Sequence, residues 1–144
     1  MKLKNSTSNT PRTFVKIQQV LSSHGASKIM FDYEAGVATK ISFCIEINHK
    51  SISFQLPALI ENVTEIMYGG KDQYGRIKEI TKAQREQAFK TGWANIRDWI
   101  DAQMALIDTK QVQLFQVFLP YAVTDTGATM FEKVMENPQL LIGN

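Results

Sequence analysis

The stretch "VATKISFCIEIN", residues 37–48, decides the fold. Val37, Thr39, Ile41, Phe43, Ile45 and Ile47 fall on one side of an extended chain. Ala38, Lys40, Ser42, Cys44, Glu46 and Asn48 fall on the other. A period of two, rich in β-branched and aromatic residues, predicts a strand with one face in a core and one in water. The same rhythm continues on both sides. "KIMFDYE" (28–34) alternates Ile29, Phe31 and Tyr33 with Met30 and Asp32, and "SISFQLP" (51–57) alternates Ile52, Phe54 and Leu56. Turn residues at Glu34-Ala35-Gly36 and Asn48-His49-Lys50 join the three runs, which predicts an antiparallel meander covered on one face only.

Helices must supply that cover. Thr10 caps and Pro11 opens a first helix with Phe14, Ile17 and Leu21 at helical spacing, ended by Gly25. Thr81 and Gln84 form a capping box that opens a long helix of about 28 residues. Its stripe of Phe89, Trp93, Ile96, Ile100, Met104 and Ile107 is predicted to lie over the sheet. Trp99 and Leu106 stand off that stripe and mark a face for contact with a further helix or with another subunit in a homo-oligomer. "VQLFQVFLPYAV" (112–123) reads as a shorter helix ended by Pro120, and Thr129 with Glu132 caps a final one. The predicted fold is therefore α+β: an N-terminal helix, a three-stranded antiparallel meander covered on one face by a long helix, then shorter C-terminal helices. Residues 1–12 read as a flexible tail and 13–144 as a single domain, with a long loop at about 58–80 that carries no hydrophobic period.

Composition narrows the work such a chain can do. With 44% hydrophobic and 21% charged residues over 144 positions, it has the balance of a globular domain. A formal charge of +2 is too small for a polybasic nucleic-acid binder, so any grip on phosphate must be local. The single Cys44 allows no intrachain disulfide and fits a reducing compartment. "MKLKNSTSNTPRTF" lacks the apolar core of a signal peptide, and no apolar run has membrane-spanning length. A cytoplasmic protein without membrane contact is the expectation.

The candidate site is "YGGKDQYGRIKEITKAQREQAFK", residues 68–90. Gly70 and Gly75 have the gap of a Walker A motif, but Arg76-Ile77 stands where Lys-Ser/Thr is required, so a nucleotide-cleaving loop is excluded. Between Lys71 and Lys90 six bases against three acids leave +3, more than the whole chain carries. Lys71, Arg76, Lys78, Lys82 and Arg85, with Tyr74 to stack on a base, are the predicted contacts to DNA or RNA. Arg85 would sit in the first turns of the long helix, where free amides already favour an anion. The rival reading is a non-catalytic module that inhibits or recruits a host protein. No catalytic constellation is found, and no metal or cofactor is expected. His24 reads as a helix-end residue, His49 as a turn residue, and Asp98, Asp101 and Asp108 as helix-surface acids. A small enzyme around Cys44 would need a base beside the thiol.

Helix, three antiparallel strands and helix is also the element order of the double-stranded-RNA-binding domain, which this chain resembles in that order alone. The last helix of that domain begins with phosphate-touching lysines. A closer resemblance runs through "SHGASKIMFDYEAGVATKISFCIEINHKSISFQLP", "WANIRDWIDAQMALIDTKQVQLFQ" and "FLPYAVTDTGATMFE". Together these resemble a family of short uncharacterised proteins of phage and mobile-element genomes, over most of residues 14–135. The resemblance implies a small accessory protein. That family has no established activity, so no functional residue carries over. Its members have a denser arginine run in the loop than "GRIKEITK" supplies.

Overall fold

The computed structural model describes residues 10–142. The expected tail over 1–12 lies outside the described residues up to position 9, and Thr10–Arg12 already belong to the first helix. The element order is α1 (Thr10–Ser23), β1 (Ser27–Glu34), β2 (Val37–Ile47), β3 (Lys50–Pro57), α2 (Ile60–Tyr68), α3 (Lys82–Asp108), α4 (Leu114–Phe118), a 3-10 turn (Leu119–Tyr121), α5 (Met130–Glu136) and α6 (Gln139–Ile142). The class is α+β, with the N-terminal helix, antiparallel meander, long helix and short C-terminal helices that the periodicities predict. No helix among the described residues is long and apolar enough to cross a membrane. The chain divides into two compact units, one of Met1–Val20 with Ala58–Ala102, the other of Leu21–Pro57 with Gln103–Asn144.

In the second unit the strands run in the order β1-β2-β3, antiparallel throughout. Two-residue turns join them, with left-handed backbone at Ala35 and Gly36 and at Asn48 and His49, the geometry that matches the right-handed twist of a hairpin. β2 and β3 pair in unbroken register, with Phe43 opposite Phe54. Those rings stack at 5.4 Å, and Phe118 of α4 meets both edge-on at 5.8 and 6.1 Å. Ile41, Phe43, Ile45, Phe54, Leu56 and Phe118 are all buried.

One detail departs from the simple alternation. Asp32 pairs with Lys40 but Tyr33 pairs with Ala38, so Thr39 is an extra residue on β2. This β-bulge reverses the parity of the strand end: Ala38 turns inward and Val37 outward, the opposite of the predicted faces. The Thr39 hydroxyl donates to the Asp32 carbonyl at 3.3 Å and occupies the irregularity.

In the first unit the capping box forms as its residues predict. The Thr81 amide donates to Gln84 Oε1 at 3.0 Å, and the Gln84 amide donates to Thr81 Oγ1 at 3.1 Å. Four consecutive α3 residues, Thr91 to Ala94, are buried, so the helix is enclosed all round at that level and not on a single stripe. Phe14 of α1 packs edge-on against Trp93 at 5.0 Å and against Phe89 at 6.4 Å.

The expected loop at 58–80 is only partly a loop, because Ile60–Tyr68 form α2. Leu59 stands at its N-terminus with left-handed backbone and makes no side-chain cap, so the usual start signal is missing. α2 does meet a second helix. A Cβ on Gly92 of α3 would overlap Ile60 Cδ1 and touch Val63. Glycine in mid-helix costs about 1 kcal/mol relative to alanine, and here it admits the side chains of a second helix.

Candidate functional site

Between α2 and α3 the chain turns back on itself. Lys71 bridges Ile77, the Asp72 amide donates to the Arg76 carbonyl at 2.8 Å, and the Lys78 amide donates to the Gly70 carbonyl at 3.0 Å. The Gly75 amide closes a turn on the Asp72 carbonyl at 3.0 Å, and Gly75 itself is left-handed at φ 76°. This is a three-residue hairpin loop, a β-turn followed by a left-handed residue that glycine fills without strain. Asp72 braces it. Its Oδ1 accepts from the Tyr74 amide at 2.8 Å and the Arg76 amide at 3.0 Å, and its Oδ2 accepts from Arg76 Nε at 3.1 Å. The Arg76 amide, then the Tyr74 amide, the Arg76 side chain and the Lys78 charge, outweigh partial burial and hold this carboxyl below its ordinary value. At the base, Glu65 of α2 accepts from the Gly70 amide at 3.1 Å.

The six predicted contact residues fare differently. Tyr74 is 71% exposed at the tip, with the Arg76 guanidinium 5.0 Å from its ring centre. Arg76 is engaged by Asp72, and Arg85 Nη1 lies 3.8 Å from Glu61 Oε2. Lys71, Lys78 and Lys82 are exposed, and among the described residues none of them closes an ion pair within 4.0 Å. The predicted local excess of charge shrinks once α2 is counted with the loop. Over residues 58–90, six bases against five acids leave +1. Two residues matter that charge counting passed over. Asp72 entered only as an acid, although Asp-x-x-Gly over 72–75 is the signature of such a turn. Ile77, beside Arg76, is 84% exposed, and no periodic pattern marks it.

The catalytic candidates separate. Cys44 Sγ lies 3.3 Å from the Ser53 hydroxyl on the half-exposed sheet face, so its neighbour is no base. His49 is exposed, 3.9 Å from Glu46. Asp98 is held by Arg97 at 2.9 Å, and among the described residues no cluster of three or more His, Cys, Asp or Glu side chains could hold a metal ion. Ser23, His24 and Asp108 do form a chain of hydrogen bonds, 3.2 Å from Ser23 Oγ to His24 Nδ1 and 2.8 Å from His24 Nε2 to Asp108 Oδ1. Asp108 is largely exposed to water, where a triad lacks the low-dielectric surroundings that make its electrostatics effective. Its structural effect is to tie the residue after α1 to the end of α3. An open groove of about 440 Å³ runs past Ile52, Phe115, Leu119, Val123 and Met130, with Ser51, Ser53 and Thr124 as its polar lining. No titratable side chain lines it. Trp99 and Leu106, the predicted oligomer contacts, are each half-buried.

No protein-family model, no curated protein and no solved structure matches this chain.

Proposed function

We propose that this chain is a non-catalytic protein-binding module that docks through the tip of the Gly70–Lys78 hairpin. One observation carries the reading: a carboxylate-braced turn holds Tyr74 and Ile77 out in water. Exposed tyrosine and isoleucine on a floppy loop would lose ordering entropy on docking. On a turn already closed by Asp72 much of that cost falls in the free protein. Tyrosine and arginine are the residues that dominate binding energy when they enter a partner's pocket, and here the Arg76 guanidinium already lies against the Tyr74 ring. Lys71 and Lys78 stand at the base of the hairpin and Lys82 opens α3, so the fitting partner is an apolar pocket with carboxylates around it, which the lysines would steer to the site. In the accessory role that the family resemblance implies, such contact would inhibit or recruit a host protein.

The nucleic-acid reading keeps a specific support in the same segment, an exposed Tyr74 ring and three exposed lysines, Lys71, Lys78 and Lys82, that close no ion pair among the described residues. Against it stand the engagement of Arg76 by Asp72 and of Arg85 by Glu61, and the five acids over residues 58–90.

A photo-crosslinking residue placed at Tyr74, with a second at the exposed Lys16 of α1 as control, tests the proposal in cell extract. The expected result is a single protein adduct formed from position 74 only, competed by unlabelled native chain, and lost in the Asp72→Ala variant. The same adduct from both positions, or one indifferent to Asp72→Ala, would overturn it. Parallel titration with single-stranded DNA and RNA separates the readings. Binding that falls steeply with salt and weakens in a Lys71/Lys78/Lys82 alanine variant would transfer the site to nucleic acid.

A further inference from the structure

The outer side of β3 is only partly used. Its two-residue turn closes on the pair Ile47 and Lys50, so the main-chain groups of Lys50, Ile52 and Phe54 point to β2 and those of Ser51 and Ser53 point away from it. The chain after the 3-10 turn covers one stretch of that outer side: Phe54 bridges Ala122, and the Val123 amide donates to the Ser53 carbonyl at 2.8 Å. There it departs. The Thr124 amide and hydroxyl both donate to the Ala128 carbonyl, at 2.8 and 2.7 Å, and draw the chain into a second reversal in which Val123 bridges Thr129. Among the described residues no hydrogen bond reaches the Ser53 amide or either main-chain group of Ser51. The groove of about 440 Å³ lies at this divergence, lined by Ser51, Ser53 and Val123 beside the apolar side chains of Ile52, Phe115, Leu119 and Met130.

We infer that this groove binds an extended peptide segment of a partner protein, laid antiparallel to β3, with one uncharged apolar side chain seated beside Ile52. The unpaired groups select a peptide. They are main-chain donors and acceptors at strand spacing, which a second extended chain matches by adding itself to the sheet. In antiparallel pairing one peptide residue exchanges both hydrogen bonds with Ser51, and a carbonyl further along accepts from the Ser53 amide. The peptide residue between those two contacts stands opposite Ile52. Directly opposed side chains share a face of the sheet, so this one enters the apolar lining.

The lining selects the side chain. No titratable group faces the groove, so an acidic or basic residue there would leave water without gaining a partner. A volume of about 440 Å³ lies within the range of natural ligand pockets. Only a short stretch of edge is open, so the main chain supplies register and the single buried side chain supplies much of the affinity. The groove belongs to the second compact unit and the Gly70–Lys78 hairpin to the first, so the two binding sites answer to separate tests.

NMR titration of the isotope-labelled full chain with the capped peptide acetyl-Thr-Leu-Thr-Leu-Thr-amide tests this. The Ser51 and Ser53 amides are expected to shift saturably, and their exchange with solvent to slow about tenfold or more, while the Tyr74 amide stays unchanged. Methylating the threonine amides of the peptide, which would face Ser51, should weaken binding about tenfold. Methylating the leucine amides, which would face away from β3, should not. Glutamate in place of leucine should abolish binding. Ser51→Pro removes a donor that points away from β2, so the variant should keep the native circular dichroism and bind the peptide about tenfold more weakly. Amides that never saturate, equal affinity of the two methylated peptides, or the same shifts on concentrating the chain alone, which would make a second copy the occupant, would each overturn the inference. Should Ser51→Pro unfold, the methylated peptides still decide it.

Discussion

The Gly70–Lys78 hairpin and the β1–β3 meander are both antiparallel reversals of the chain, and different forces hold them. The meander closes around apolar rings. Phe43, Phe54 and Phe118 are fully buried in mutual contact, and a buried phenylalanine removes far more area from water than any turn residue does. The small hairpin closes around one carboxylate that accepts three hydrogen bonds, while Tyr74 and Ile77 face outward. A reversal held by a core gains stability from the surface it hides. One held by a side-chain brace can keep its surface available, as a docking element must.

That contrast can be broken by mutation, most severely in the meander. Phe54→Ala should cost about 3–5 kcal/mol, by lost transfer energy and a cavity beneath Phe43 and Phe118. Chemical denaturation would measure it, and a loss below about 1 kcal/mol would mean that the aromatic cluster does not hold the sheet. Gly92→Leu comes next. Its side chain would collide with Ile60 and Val63, and overpacking of this kind costs about 1–3 kcal/mol. Gly92→Ala should be far milder, since only the free end of Ile60 must move and the helix regains about 1 kcal/mol of propensity.

The hairpin should answer to Asp72 without disturbing the sheet. In Asp72→Asn the Tyr74 and Arg76 amides are expected to lose hydrogen-exchange protection while β2 amides keep theirs; equal loss in both would erase the distinction drawn here. Acid probes the same brace. Asp72 is held below its ordinary value first by the Arg76 amide, and Glu132 first by the Thr129 amide and then by its hydroxyl. As pH falls, the unfolded chain takes up these protons before the folded one does. The stabilisation is therefore complete above about pH 5 and is lost as pH falls through the lowered folded values. Thermal unfolding between about pH 6 and pH 3 should show this decline, reduced in Asp72→Asn. The smallest effect is expected at the β1–β2 turn. Ala35→Asn would place Asn-Gly in a left-handed pair and raise stability by a few tenths of a kcal/mol.

Much of the fold was legible because its signals are local. Period-two alternation over 40–47, the turns at 34–36 and 48–50, and the capping boxes at Thr81 and Thr129 all act between residues a few positions apart, and each forms. The site was less legible. Tyr74, Arg76 and the lysines lie where exposed residues were predicted, but Asp72 was read as one charge among many when its geometry makes it the brace.

Sequence alone determined the α+β class, the three strands and the starts of the helices capped at Thr81 and Thr129, because hydrophobic period and capping chemistry are properties of neighbouring residues. Tertiary structure decided the rest. α2 packs Ile60 and Val63 against Gly92 of α3, and α2 brings Glu61 to Arg85. Only the pairing of β1 with β2 turns Ala38 inward at the Thr39 bulge. The physical reason is common to these cases. A contact between residues distant in the chain adds free energy to a local choice that is nearly balanced, and nothing in the local pattern records the partner.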